Sequence, residues 1–290
     1  MITTPKPYKI AFWGTPALTI PFLEALHKHG YTPTVVITGE DKPQGRGMMI
    51  TPPAPKIWAL EHGIKVLQPK KLDDDFYREL DGLDLDLSIV IAYGKIIKEH
   101  MITNPKRGTI NVHYSLLPKF RGATPVEATL LAGEEKTGIA IQQMVYELDA
   151  GDILASREVT IPDTMRKKDL FDLLNHEAVA ELIQILPTIL EGKILGQQQD
   201  HTQATHCSKI TKEDGEIILG KDDLKNWNKW RAYEGWPGVY TFGIRDGKRV
   251  RVIIKDAMFV HGIFTPTRVT PEGGKEIDFA QAKKSISFER

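Results

Sequence analysis

The sequence predicts an α/β protein: a Rossmann-like, doubly wound parallel sheet followed by a small β-barrel domain. Three observations carry this. Residues 9–13 read as a short buried strand, and Gly14-Thr15-Pro16 as the turn after it. Leu18, Phe22, Leu23, Ala25 and Leu26 then recur at helical spacing up to Gly30, before a second strand at 35–38. Such a β-α-β start implies parallel pairing with helices on the sheet faces. Second, LSIVIA at 87–92 is apolar on both faces, as a central parallel strand requires. Third, the C-terminal part holds short strand candidates between Gly-rich turns, the pattern of a small barrel.

The remaining elements follow in order. Thr15 is placed to cap the first helix and Pro16 to start it. The turn is not Gly-x-Gly-x-x-Gly, which argues against a nicotinamide cofactor. Residues 39–56 read as a long Gly- and Pro-rich loop holding Lys42, Arg46 and Lys56; a loop of that length in a compact domain is usually functional. A helix is expected through 58–62, a strand at 65–67 and an amphipathic acidic segment at 72–80. Tyr93-Gly94-Lys95-Ile96-Ile97 lies at the carboxyl end of the central strand, the edge where open α/β sheets bind ligands. Strands are expected at 109–113 and 138–145, and an edge strand at 153–161. Pro125 opens a helix that Gly133 ends. A long helix spans 164–190, with Pro187 kinking or ending it. Polar residues 192–206 read as a linker. Beyond it come a helix with Trp227 and Trp230, a tight turn at Trp236-Pro237-Gly238, and strands at 250–254, 257–261 and 267–270. The domains are therefore 1–190, a linker at 191–206, and 207–290.

Composition sets bounds. The 290 residues are 41% hydrophobic and 26% charged, with formal net charge zero. From His206 onward there are 16 Lys and Arg against 12 Asp and Glu, a net of +4 that permits a basic face. One cysteine, Cys207, rules out an intrachain disulfide and fits a reducing compartment. The N-terminus has no apolar targeting run and the chain no membrane-length apolar stretch, so a cytoplasmic protein with no membrane partner is expected. No metal is expected, because no Cys/His cluster has zinc spacing.

Residues 108–152 carry the chemistry. Asn111 and His113 are two apart in a strand, so both project to one face. Asn offers an amide donor, His titrates near neutrality and moves protons, and a nearby Asp149 orients or charges the His. No serine or cysteine sits in a nucleophile elbow. Donor, base and carboxylate without a nucleophile suit direct acyl transfer between two bound substrates, the Asn on the oxyanion and the His on the proton of an attacking amine. The same residues also suit a strand-end turn, a core histidine and a loop cap.

Asn111-x-His113-x-Ser115-Leu116-Leu117-Pro118-x-x-Arg121-Gly122-x-x-Pro125, followed by Leu148-Asp149-x-Gly151-Asp152-Ile153, resembles the signature of the folate-dependent formyltransferases. Pro43-x-Gly45-Arg46-Gly47 with Pro52-Pro53-x-Pro55-Lys56, and SKITKEDG and RAxxxWPGxYTF in the second domain, resemble the methionyl-tRNA formyltransferases among them. The likeness runs from about Lys9 to Phe279. It implies transfer of a formyl group from 10-formyltetrahydrofolate to the free amine of initiator methionyl-tRNA, for translation initiation. It implies Asn111, His113 and Asp149 as catalytic residues. Tyr93, Gly94, Ile96, Ser115, Leu116, Leu117 and Pro118 would contact tetrahydrofolate. Lys42 and Arg46 would contact tRNA, and the second domain would be an OB-like, tRNA-supporting barrel in a monomer. Met48 and Met49 stand where that family often has basic residues, and Glu127 where glutamine is expected. Lys248, Arg249 and Arg251 are further candidates for phosphate contact.

Three rivals remain: a sugar-nucleotide N-formyltransferase with the same Asn-His-Asp core, a tRNA-binding folate sensor without catalysis, and a hydrolase that only deformylates the donor.

Overall fold

The structure is a computed structural model that describes residues 8–44 and 48–289. Its elements run β1 (Ile10–Gly14), α1 (Ile20–Lys28), β2 (Val35–Ile37), β3 (Lys42–Gln44), β4 (Met49–Thr51), α2 (Ala54–Glu61), β5 (Lys65–Leu67), α3 (Asp74–Asp81), β6 (Leu87–Ile91), α4 (Glu99–Ile102) and β7 (Thr109–His113). There follow β8 (Arg121–Gly122), α5 (Pro125–Ala132), β9 (Lys136–Gln143), β10 (Ile153–Thr160), α6 (Lys167–Glu191), β11 (His206–Cys207) and α7 (Asp223–Ala232). The chain closes with β12 (Val239–Arg245), β13 (Lys248–Val260), β14 (Ile263–Pro271), β15 (Ile277–Asp278), α8 (Phe279–Ala282) and β16 (Ser287–Phe288).

Two compact units form. One gathers residues 1–121, 138–158 and 174–205; the other gathers 122–137, 159–173 and 206–290. The first is built on a seven-stranded sheet of order β10-β9-β7-β6-β1-β2-β5. Pairing is parallel from β7 through β6, β1 and β2 to β5, and β9 lies antiparallel to β7. β1, β2 and β6 are buried along their whole length. Their largely apolar sequences follow from helices on both faces. Trp13 anchors one side of the sheet. Its ring meets Phe76 and Tyr93 edge-on, and its indole N–H donates to Ser88 Oγ at 3.2 Å, so burial leaves no polar atom of Trp13 unpaired.

Chain order reverses between β1 and β6, the switch point where such sheets open a crevice at their carboxyl ends. Thr15 sits there and does not cap a helix. Pro16 is extended at ψ 161°, a short 3-10 turn at Ala17–Thr19 intervenes, and α1 starts only at Ile20. Thr15 Oγ1 instead donates to the Tyr93 carbonyl at 3.3 Å and accepts from Gly39 N–H at 3.2 Å, tying together the ends of β1, β6 and β2.

Four other expectations change. Residues 39–56 are no open loop: β3 and β4 pair as an antiparallel hairpin, and Lys56 is committed to Asp41 at 2.8 Å. α6 runs through Pro187 to Glu191 and does not stop there. Gln199, in the polar stretch expected as a linker, is buried and fully bonded in the first unit. The strands expected at 250–254 and 257–261 are one strand, β13, with register shifts around Asp256 that hide its continuity from a period-2 reading.

The second unit carries a five-stranded antiparallel sheet, β15-β14-β13-β12-β16, the framework of its small barrel-like domain. α7 holds Trp227 and Trp230 stacked at 5.0 Å, and Phe259 stacks on Trp227 at 5.6 Å. Asp222 caps α7 by accepting from Lys225 N–H at 3.1 Å. Among the described residues no helix is long and apolar enough to cross a membrane.

Candidate active site

The site grows from the register of β7 and β9. Asn111 pairs directly with Gln142 and His113 with Ala140. Residues opposite each other in an antiparallel pair share a face, so Asn111, His113, Ala140 and Gln142 line one surface at the carboxyl end of β7. His113 is only 5% exposed. Its Nε2 lies 2.9 Å from the Phe120 carbonyl, which can only accept, so Nε2 carries the hydrogen. Phe120 presents that carbonyl from a left-handed conformation, φ 58°. His113 Nδ1 is left facing Asp149 Oδ2 at 3.7 Å.

Asp149 lies on the connection between β9 and β10, also left-handed, at φ 50°. Two glutamines fix it there. Gln142 Nε2 donates to its Oδ1 at 2.9 Å, and Gln199 Nε2 donates to its backbone carbonyl at 2.9 Å and to the Gly151 carbonyl at 2.6 Å. Gln199 is held in turn by Arg121, whose Nη2 donates to Gln199 Oε1 at 2.7 Å. The connection also needs Gly151: a Cβ there would stand 1.7 Å from the Gln143 carbonyl oxygen.

Asn111 and His113, with Asp149 from 36 positions beyond His113, thus meet in one unit. Asn111 is half-buried, and its amide makes no hydrogen bond among the described residues. This arrangement can hold a developing oxyanion, accept a proton at Nδ1 and balance the resulting imidazolium with a carboxylate.

The other expected residues are placed as follows. Tyr93 packs its ring into the core, and burial pushes its phenol pKa well up, so only its backbone is available to a ligand. Gly94 is left-handed at φ 81°, and Ile96 stands 83% exposed beside it. Among the described residues the backbone groups of Gly94 and Ile96 make no hydrogen bonds. Ser115 is fully buried and spends its hydroxyl on the Lys119 carbonyl at 2.6 Å. It shapes the 115–119 turn, on which Leu116 and Pro118 are half-buried and Leu117 is buried. Lys42 is exposed on β3, and Arg46 lies outside the described residues. Glu127, in the second unit, lies 3.6 Å from Lys167.

Gln142, Gln199 and Arg121 were not among the expected site residues. The available signal for Gln142 was a pair of glutamines, Gln142 and Gln143, closing an apolar run in GIAIQQMV. Gln199 sits in a polar run, and nothing local distinguishes it.

Residues 8–186 match the family model described as formyl transferase. A methionyl-tRNA formyltransferase from Sulfurihydrogenibium sp. is 41% identical over 235 residues, covering 80% of this chain and 76% of that one. The methionyl-tRNA formyltransferase of Chloroflexus aurantiacus is 38% identical over 267 residues, covering 92% and 86%. Among solved structures, a 4-N formyltransferase from Francisella tularensis superposes with TM-score 0.66 at 18% identity, over 85% of this chain and 97% of that one. A sugar 3N-formyl transferase crystallised with dTDP and 5-N-formyl-THF gives TM-score 0.64 at 18% identity, over 98% and 97%. At that identity the structural likeness is one of fold. On the identity and coverage of its sequence relatives, this chain belongs to the methionyl-tRNA formyltransferase family.

Proposed function

We propose that this chain transfers the formyl group of 10-formyltetrahydrofolate to the free α-amine of initiator methionyl-tRNA, with Asn111, His113 and Asp149 as its catalytic residues. The observation that carries the assignment of residues is the meeting of a free amide, an oriented imidazole and a fixed carboxylate at the carboxyl end of β7.

The donor supplies a carbonyl carbon already activated as an amide of N10. Asn111 donates to the formyl oxygen as the amine adds and negative charge grows there. With Nε2 committed to Phe120, Nδ1 is the nitrogen that takes the proton from the attacking amine. Asp149 stabilises the imidazolium across the 3.7 Å separation. As the C–N10 bond breaks, that proton passes to N10, and the new C–N bond to methionine remains.

Gly94 and Ile96 offer unpaired backbone groups and an exposed apolar side chain, a combination suited to a flat, polar-edged pterin. With Leu116, Leu117, Pro118 and the backbone of Tyr93, they are the residues that would hold it. Ser115 acts through the turn it closes. Lys42 and Arg46 would meet the tRNA.

The test offers methionyl-tRNA and an aminosugar nucleotide in parallel with 10-formyltetrahydrofolate. Formyl-methionyl-tRNA alone is the expected product. Formylated sugar alone would keep the transfer chemistry and overturn the acceptor. Free formate alone would make the chain a hydrolase.

A further inference from the structure

We propose that Gln142 is a positioning residue of this site: its amide holds Asp149 Oδ1 and thereby turns Oδ2 towards His113. The inference rests on the transfer reading above. Gln142 is 1% exposed and stands directly opposite Asn111 in the β7–β9 register. It therefore borders both the oxyanion donor and the carboxylate. An ionised carboxylate only accepts hydrogen bonds, so the Gln142 group 2.9 Å from Asp149 Oδ1 is the NH2. That orientation leaves Gln142 Oε1 buried with no partner among the described residues. A buried acceptor left unpaired is unfavourable. The bond to Asp149 is then what sets the amide, and a role in packing alone would be met better by an apolar side chain of the same volume.

The geometry assigns the two carboxylate oxygens separate duties. Oδ1 is held by Gln142, and Oδ2 faces Nδ1 of His113 at 3.7 Å. Gln199 fixes the Asp149 backbone, and Gln142 bonds the carboxylate itself.

The test compares Gln142→Met, which conserves volume and removes the donor, with wild type, Asp149→Ala and the double variant. Gln142→Met is expected to lower kcat about 10- to 100-fold, the scale of a misplaced catalytic group. KM for either substrate should stay within about twofold, because uniform binding is untouched. In the Asp149→Ala background the same substitution should cost nothing further, because its target is gone. Unchanged kcat in Gln142→Met, or an equal loss in both backgrounds, would overturn the inference. If Gln142→Met does not fold, Gln142→Glu carries the test: it removes the donor and sets a second carboxylate against Asp149 Oδ1, so kcat should fall at neutral pH with KM near wild type. Wild-type activity at neutral pH in Gln142→Glu would equally overturn it. Wild-type enzyme that formylates no amine would sink the transfer reading; wild-type transfer with a silent Gln142 would sink only this proposal.

Discussion

Two polar regions of this molecule are built on opposite terms. In the first unit, His113 and Gln142 are almost wholly buried, and with Asp149 they bond inward to Phe120, to one another and to Gln199. In the second unit, the charges of the antiparallel sheet stay in water and pair among themselves. Arg249 holds Glu289 at 2.7 Å, and Arg268 holds Glu276 and Asp278, each at 3.0 Å. The difference is one of dielectric. A hydrogen bond in a dry pocket is strong and costly to break, whereas an exposed ion pair is screened and contributes little. Chemistry can be concentrated in the first region. In the second, Arg249 and Arg268 can meet a phosphate only by exchanging a partner each already has.

The largest expected effect tests the buried side. Asn111→Ala, His113→Ala and Asp149→Ala should each lower kcat about 10²- to 10⁴-fold while unfolding profiles stay near wild type. A near-wild-type rate in any of them removes that residue from the chemistry. Gly151→Ala comes next. Its Cβ would collide with the Gln143 carbonyl, so the β9–β10 connection must shift, at about 1–3 kcal/mol. Thermal denaturation reads the cost, and a parallel fall in kcat would show that the connection's shape positions Asp149.

Smaller effects belong to the second unit. Backbone and hydroxyl hydrogen bonds from Thr211 hold the Asp214 carboxylate below its ordinary pKa. A lowered folded-state pKa contributes stability above the unfolded value of about 3.9. That stability is lost as pH falls through the folded value, so Asp214→Asn should flatten the acid side of the stability profile below about pH 4. An unchanged slope would remove Asp214 from it. The smallest effect is expected for Arg249→Ala: a slight fall in Tm at low salt that vanishes at high ionic strength. A salt-independent loss would show that the Arg249 guanidinium, 3.5 Å from the Phe242 ring centroid, acts through packing.

The same contrast explains what was legible in the sequence. The parallel sheet could be read because β1, β2 and β6 are buried on both faces, and that fixes a largely apolar pattern. Asn111 and His113 could be read because strand geometry forces i and i+2 together. What failed to show depends on distant partners. Gln199 looks like linker until Arg121 and the 149–151 backbone are in place around it. The β3–β4 hairpin hides in a Gly/Pro-rich run, and β15 and β16 are two-residue strands defined by the neighbours they pair with. β13 is interrupted at Asp256, where the alternation of side chains slips. Thr15 reads as a cap from its neighbours but is claimed by Tyr93, 78 residues away.

The most direct measurement is the single-turnover rate of formyl transfer to methionyl-tRNA by His113→Ala, taken alongside its equilibrium affinity for the tRNA. The expected result is a rate about 10²- to 10⁴-fold below wild type with affinity within about twofold, the signature of a group used in the transition state and not in binding. A rate within a few-fold of wild type would contradict the assignment of proton transfer to His113 and, with it, the reading of the buried face as the catalytic site.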